Sequence, residues 1–257
     1  MSFSRSNPNA RDKVSIHGLR PERKKLLKGA LSAKEIIEEL KAGANPENVE
    51  GMVKFGINPH NTLGVSVADL RKMAKEIGTD YSLAGELWAS GIHEARILAG
   101  LVHDPAMLTE SQMERWVREF DSWDVCDQIC SNLFDKTPFA HRKAVEWSGR
   151  EEEFVKRAGF VMMAALAVHD KAVSDPVFEK FLPLIRKAST DNRNFVKKAV
   201  NWALRQIGKR NLALNRKAIE TAEKIGGLDS PSAKWIAMDA LRELKSEAVQ
   251  DRLHRRF

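Results

Sequence analysis

The chain has 257 residues, 43% hydrophobic and 30% charged, with 42 Lys+Arg against 35 Asp+Glu and a net charge of +7. A chain of this length and composition can bury a full core, which excludes the disordered, collagen-like and low-complexity classes. Two cysteines exclude a disulfide framework, the opening residues lack the apolar segment of a signal peptide, and the longest apolar run, Phe160 to Val168, is too short to span a membrane. A basic, cytoplasmic, monomeric protein without membrane association is expected.

Residues 1–30 read as a basic irregular arm or an atypical first helix, and residues 31–257 as a single domain. From Ser32 onward apolar residues recur at spacings of three and four, as in Ile36, Ile37, Leu40 and in Leu70, Met73, Ala74, Ile77. Strict alternation is hard to find, so the whole domain is expected to be helical. Start signals follow in order: Asn45-Pro46, Ser66 before Val67-Ala68-Asp69, Thr109 with Gln112, and Ser230-Pro231. Gly43, Gly56, Gly78, Gly91 and Gly149 sit where helices should stop. The next stretch, Met107 to Asp135, is acidic, with two arginines against seven carboxylates.

Trp123-Asp124-Val125-Cys126-Asp127 opens a helix after Asp121-Ser122, either of which can be the N-cap. Asp124 falls in the first turn, where the helix dipole gives it a local role. Asp127 shares a face with Trp123 and lies too far in to cap; it either pairs with a neighbouring arginine or is functional. Cys126 and Cys130 share that helix, but with His141 they form no zinc pattern, and no metal or other cofactor is expected.

Phe154-Val155-Lys156-Arg157-Ala158 recurs as Phe195-Val196-Lys197-Lys198-Ala199, and Ala203-Leu204-Arg205-Gln206-Ile207 as Ala240-Leu241-Arg242-Glu243-Leu244. Offsets near 40 residues match HEAT-type helix pairs, which stack into a curved all-α solenoid with one concave face. The segment Arg186–Lys217 holds ten basic residues and one acid, so that face is expected to be basic. Positive regions flanking an acidic one suit a polyanion gripped at its edges around a carboxylate. Within the segment Lys198, Trp202 and Arg205 share a helical stripe, and an indole between two cations suits packing against nucleotides. Trp88, Trp116, Trp147 and Trp235 have apolar neighbours at helical spacing and read as core. The Val-His-Asp strings at His103 and His169 read as dipole partners at helix ends.

At this point the sequence resembles the AlkD-like DNA alkylation repair family, which are HEAT-repeat DNA glycosylases. Trp123 and Asp127 stand in a W-D-x-x-D segment and Arg157 opens a long apolar helix. Trp202 lies in an F-x-x-K-A-x-x-W-x-L-R segment spanning Phe195 to Arg205, and Met52–Gly56 with Gly64–Arg71 resembles the family's N-terminal half. The resemblance runs from about Ala33 to Leu244. It departs at the extended N-terminus and at Val102-His103-Asp104-Pro105.

The resemblance implies excision of cationic N3- or N7-alkylated purines from duplex DNA without a conventional base pocket. Such a base leaves neutral, so one carboxylate can suffice. Asp127 would stabilise the cationic sugar and orient a water, and Trp123 and Trp202 would pack on the deoxyribose. Arg157 would hold a phosphate, with Lys156, Lys197, Lys198, Arg205, Lys209 and Arg210 along the backbone. The alternatives are a non-catalytic HEAT-repeat DNA-binding protein and a protein–protein scaffold.

Overall fold

The computed structural model describes residues 31–255. The expectation for the basic arm at 1–30 lies outside them. In chain order the α-helices are α1 (Ala33–Ala42), α2 (Pro46–Lys54), α3 (Val67–Ile77), α4 (Tyr81–Ala89), α5 (His93–Val102), α6 (Glu110–Arg118), α7 (Trp123–Asn132) and α8 (Ala140–Ser148). There follow α9 (Glu153–His169), α10 (Asp175–Glu179), α11 (Phe181–Ala188), α12 (Asn194–Gly208), α13 (Leu212–Gly226), α14 (Pro231–Leu244) and α15 (Glu247–His254). No strand occurs among the described residues.

Local chemistry sets the boundaries. Asn45, Ser66, Thr109 and Ser230 each accept a hydrogen bond from the backbone N–H three residues on, which satisfies one of the orphan donors of a first turn. Gly56 takes φ of 78°, a left-handed conformation that side chains resist. After Ser174 the short helices α10 and α11 follow each other, joined at Lys180.

The helices pack in two layers. One is α5, α7, α9, α12 and α14, each beside the next; the other places α4, α6, α8, α11 and α13 behind them. The sequence repeats map onto this order. Phe154 and Phe195 are each the second residue of α9 and α12, and Ala203 and Ala240 occupy the same position of α12 and α14. The helix α9, which contains the long apolar run, is buried from Arg157 to Ala167 and forms the centre of the core. Gly159 lets α8 and α9 touch backbone to backbone, since a Cβ there would lie 2.3 Å from the Ser148 nitrogen. Trp88, Trp116 and Trp147 are buried, and Trp88 stacks on Trp116 at 4.1 Å. Trp235 departs from its core reading. It is 38% exposed, and Lys197 Nζ sits 5.0 Å from its ring centre. Its apolar neighbours at helical spacing belong to the adjacent face of α14, so the ring stands at the core's rim.

Candidate nucleic-acid site

The N-terminal ends of α5, α7, α9 and α12 converge, and the loop between α2 and α3 lies against them. Ser122 is the N-cap residue of α7, but its hydroxyl accepts from the Asn58 backbone N–H at 3.3 Å rather than capping the helix. Asn58 Nδ2 also donates to Asp121 Oδ2 at 2.9 Å. Asp124 goes beyond the local role expected of it. It is buried, and its Oδ2 lies 2.8 Å from His93 Nε2. Burial pulls the His93 imidazolium down; the hydrogen bond and charge of Asp124, with Glu94 and Asp121, outweigh it and raise the pKa above its ordinary 6.5. The fully buried Glu94 accepts from the backbone N–H groups of Leu63 and Gly64, which fastens the end of the same loop.

One turn into α7, Asp127 meets Arg157 in a two-pronged ion pair. Arg157 Nε donates to Asp127 Oδ1 at 2.9 Å and Nη2 to Oδ2 at 2.8 Å. The remaining prong, Nη1, donates to the Phe195 carbonyl at 2.6 Å, tying α7, α9 and α12 together. Arg157 is 5% exposed, while the Asp127 side chain keeps 16%. Burial pushes the Asp127 carboxyl above its ordinary value, against the downward pull of Arg157; for Arg157 burial opposes the charge, and Asp127 outweighs it and holds the guanidinium charged. Asp127 therefore pairs with a neighbouring arginine, one of the two options the sequence left for it, and the pairing still leaves the carboxylate partly exposed.

The indoles are placed differently from each other. Trp123 has the Arg157 guanidinium 5.9 Å from its ring centre and donates its Nε1–H to the Phe55 carbonyl at 3.1 Å. Trp202 is half-buried on α12 against the core, seven residues past Phe195, or about 10 Å along the axis. Among the described residues it makes no ring contact with Trp123. The structure thus gathers Trp123, Asp127 and Arg157, while Trp202 packs from α12 against the core.

The basic residues are more thoroughly partnered than their density suggested. Lys156 pairs with Asp191 at 3.2 Å, and Asp191 also takes two prongs of Arg193. The hydrogen bonds from Arg193 hold the Asp191 carboxyl down to about 2. Arg205 reaches Glu243 at 2.7 Å and Asp239 at 3.3 Å, and Lys209 reaches Glu243 at 2.6 Å. Arg210 donates to the carbonyls of Ala167 and Val173 over the Phe178 ring, which makes it a structural clasp. Arg157 likewise gives three hydrogen bonds inside the protein and is 5% exposed, so little of its guanidinium faces outward toward the phosphate expected there. Among the residues expected on the DNA backbone, Lys198 is exposed and has no acidic partner among the described residues. Cys126 and Cys130 are buried with their thiols directed at the Phe154 and Ala158 carbonyls, a packing role between α7 and α9. Among the described residues no cluster of three or more potential ligands could hold a metal.

Sequence reasoning missed His93 and the loop at 55–64, and gave Asp124 a local role only. Helix register was the signal that could have found the central pair. Asp127, Arg157 and Lys198 are each the fifth residue of α7, α9 and α12, so stacking the helices in register sets them side by side.

Two stacked layers of helix pairs, joined by a carboxylate–guanidinium pair beside an indole, define a HEAT-like all-helical protein with a polar cluster at the helix N-termini. The chain belongs to the DNA alkylation repair enzyme family, whose model matches residues 36–248. It is also similar to a solved structure described as a new family of proteins related to the HEAT-like repeat DNA glycosylases with affinity for branched DNA structures. That similarity has a TM-score of 0.74 at 22% identity and covers 87% of this chain and 96% of the other. No curated protein matches the chain.

Proposed function

We propose that this protein is a DNA glycosylase that removes cationic N3- or N7-alkylated purines from duplex DNA, with Asp127 as the group that meets the developing sugar cation. The observation that carries this reading is the fixed and still partly open carboxylate, held by two bonds from Arg157 beside the Trp123 ring. Cleavage of the N-glycosidic bond sends its electron pair to a base that is already cationic, which leaves neutral; water then adds to C1′ and loses a proton. No general acid for the leaving group is required.

Arg157 has a different role here from the phosphate contact first expected. It positions Asp127 and opposes the rise in its pKa that burial produces. The pairing weakens the carboxylate's pull on a sugar but does not cancel it. With the sugar carbon about 3.5 Å from the carboxylate and about 7 Å from the guanidinium, an effective dielectric of about 20 gives about 5 kcal/mol of attraction against about 2 of repulsion. A net attraction of about 2–3 kcal/mol remains. Lys198, which is exposed, would contact the DNA backbone directly, while Lys156, Lys197, Arg205 and Lys209 would exchange their present partners for phosphate.

A second reading, binding to DNA without chemistry, is favoured by the same ion pair, because a carboxylate matched by arginine is a weaker catalyst than a bare one. The related structure's described affinity for branched DNA points the same way. Incubation with methylated duplex DNA and chromatography of the freed bases separates the two. On the first reading wild-type protein releases 7-methylguanine or 3-methyladenine and Asp127→Asn does not, although both bind duplex equally. Release undiminished in Asp127→Asn rules Asp127 out; binding to duplex or junction DNA with no release by wild type favours the second reading.

A further inference from the structure

The helix α2 has no buried residue, and the residue that ends it, Phe55, is 75% exposed. Singly exposed apolar side chains are common on protein surfaces, so it is the setting of this ring that matters. The backbone of Phe55 is firmly held at the candidate site. The Phe55 carbonyl accepts from Trp123 Nε1 at 3.1 Å. The next residue, Gly56, lies so close to Phe195 that a Cβ would sit 2.9 Å from its ring carbon. Beyond it Asn58 bonds to Ser122 and Asp121, the His93 N–H donates to the Asn61 carbonyl, and Glu94 takes Leu63 and Gly64. Lys54, beside Phe55, is exposed, as is Lys198, three residues past Phe195 on α12.

We infer that Phe55 is a wedge that enters the base stack of DNA lying along this edge. An apolar ring on a stiff support, one indole away from the Asp127–Arg157 pair and flanked by lysines, has the parts of a side chain that unstacks a base step while the cations hold phosphate. Exposure of the deoxyribose to Asp127 would then follow from distortion of the duplex. The inference rests on the proposed function only in placing DNA at this edge; the unstacking itself needs no chemistry.

The test uses duplex DNA with 2-aminopurine beside the lesion, at saturating protein, in the Asp127→Asn background so that no base is released. The expected result is a rise in fluorescence that Phe55→Ala abolishes and Phe55→Leu partly restores, with duplex affinity falling no more than about tenfold, the size of one lost stacking contact. In the otherwise wild-type protein, Phe55→Ala should slow release of a paired lesion more than that of a mispaired one. Equal fluorescence with and without the ring, or no rise at saturation, overturns the wedge. If the rise depends on Phe55 and wild type frees no base, the wedge stands and the glycosylase reading falls.

Discussion

Replacement of Arg157 by methionine keeps most of the length and the apolar stem of the side chain and removes all three hydrogen bonds. It would leave a mostly buried carboxylate and the Phe195 carbonyl without their partner. Breaking a buried ion pair from one side costs about 3–5 kcal/mol. The 16% exposure of the Asp127 side chain lets water reach it, which puts the expected loss near the low end, about 3 kcal/mol. Urea unfolding followed by circular dichroism at several pH values measures this. The loss also has a predicted pH dependence. Without Arg157 the burial of Asp127 is unopposed, so its folded pKa rises further above the unfolded value near 3.9. The folded variant then prefers the neutral acid. Its deficit is smallest below the unfolded pKa and grows as the pH climbs toward the folded one. The double variant Asp127→Asn/Arg157→Met should recover part of the loss at neutral pH. If the proposed chemistry holds, base release by wild type falls on acidification through a pKa above that of an ordinary aspartate, and any release left in Arg157→Met falls at still higher pH. A neutral-pH deficit under about 1 kcal/mol, or one that does not shrink in acid, would refute the reasoning.

His93 should titrate above 6.5 by NMR, because Asp124 and its acidic neighbours outweigh burial. Its pairing therefore stabilises the fold fully below the unfolded pKa, and that contribution is lost as the pH rises through the folded one. In Asp124→Asn burial should lower the His93 pKa relative to wild type; a wild-type value below 6.5 would contradict this balance. Gly159→Ala should destabilise by about 1–3 kcal/mol in urea, because its Cβ meets Ser148 backbone. Gly208→Ala meets the mobile end of Leu244 and the Ala218 methyl and should cost less; the reverse order would show that α8 and α9 are not held by backbone contact.

Most of the fold was legible in the sequence because its signals are local. A serine or asparagine three residues before a backbone N–H, a glycine after the last turn and apolar residues three and four apart all act within one helix. The offset between Phe154 and Phe195 was legible for the same reason, since each opens a helix of the same design. The two rings stack at 5.5 Å, as adjacent repeats require. The candidate site was legible as residue types, with Trp123, Asp127 and Arg157 singled out in advance.

The partners were not legible, because a charge pairs with whatever the neighbouring helix presents. The sequence alone established an all-helical repeat domain with an acidic stretch, a basic segment and a short set of aromatic and charged residues worth testing. Only tertiary packing decided that Asp127 faces a guanidinium thirty residues away and that Arg205 and Lys209 are matched by Glu243. It also left Trp235 at the rim and Phe55 in the open. Helix periodicity fixes which residues share a face; the register between helices, which depends on how whole surfaces interlock, fixes which faces meet.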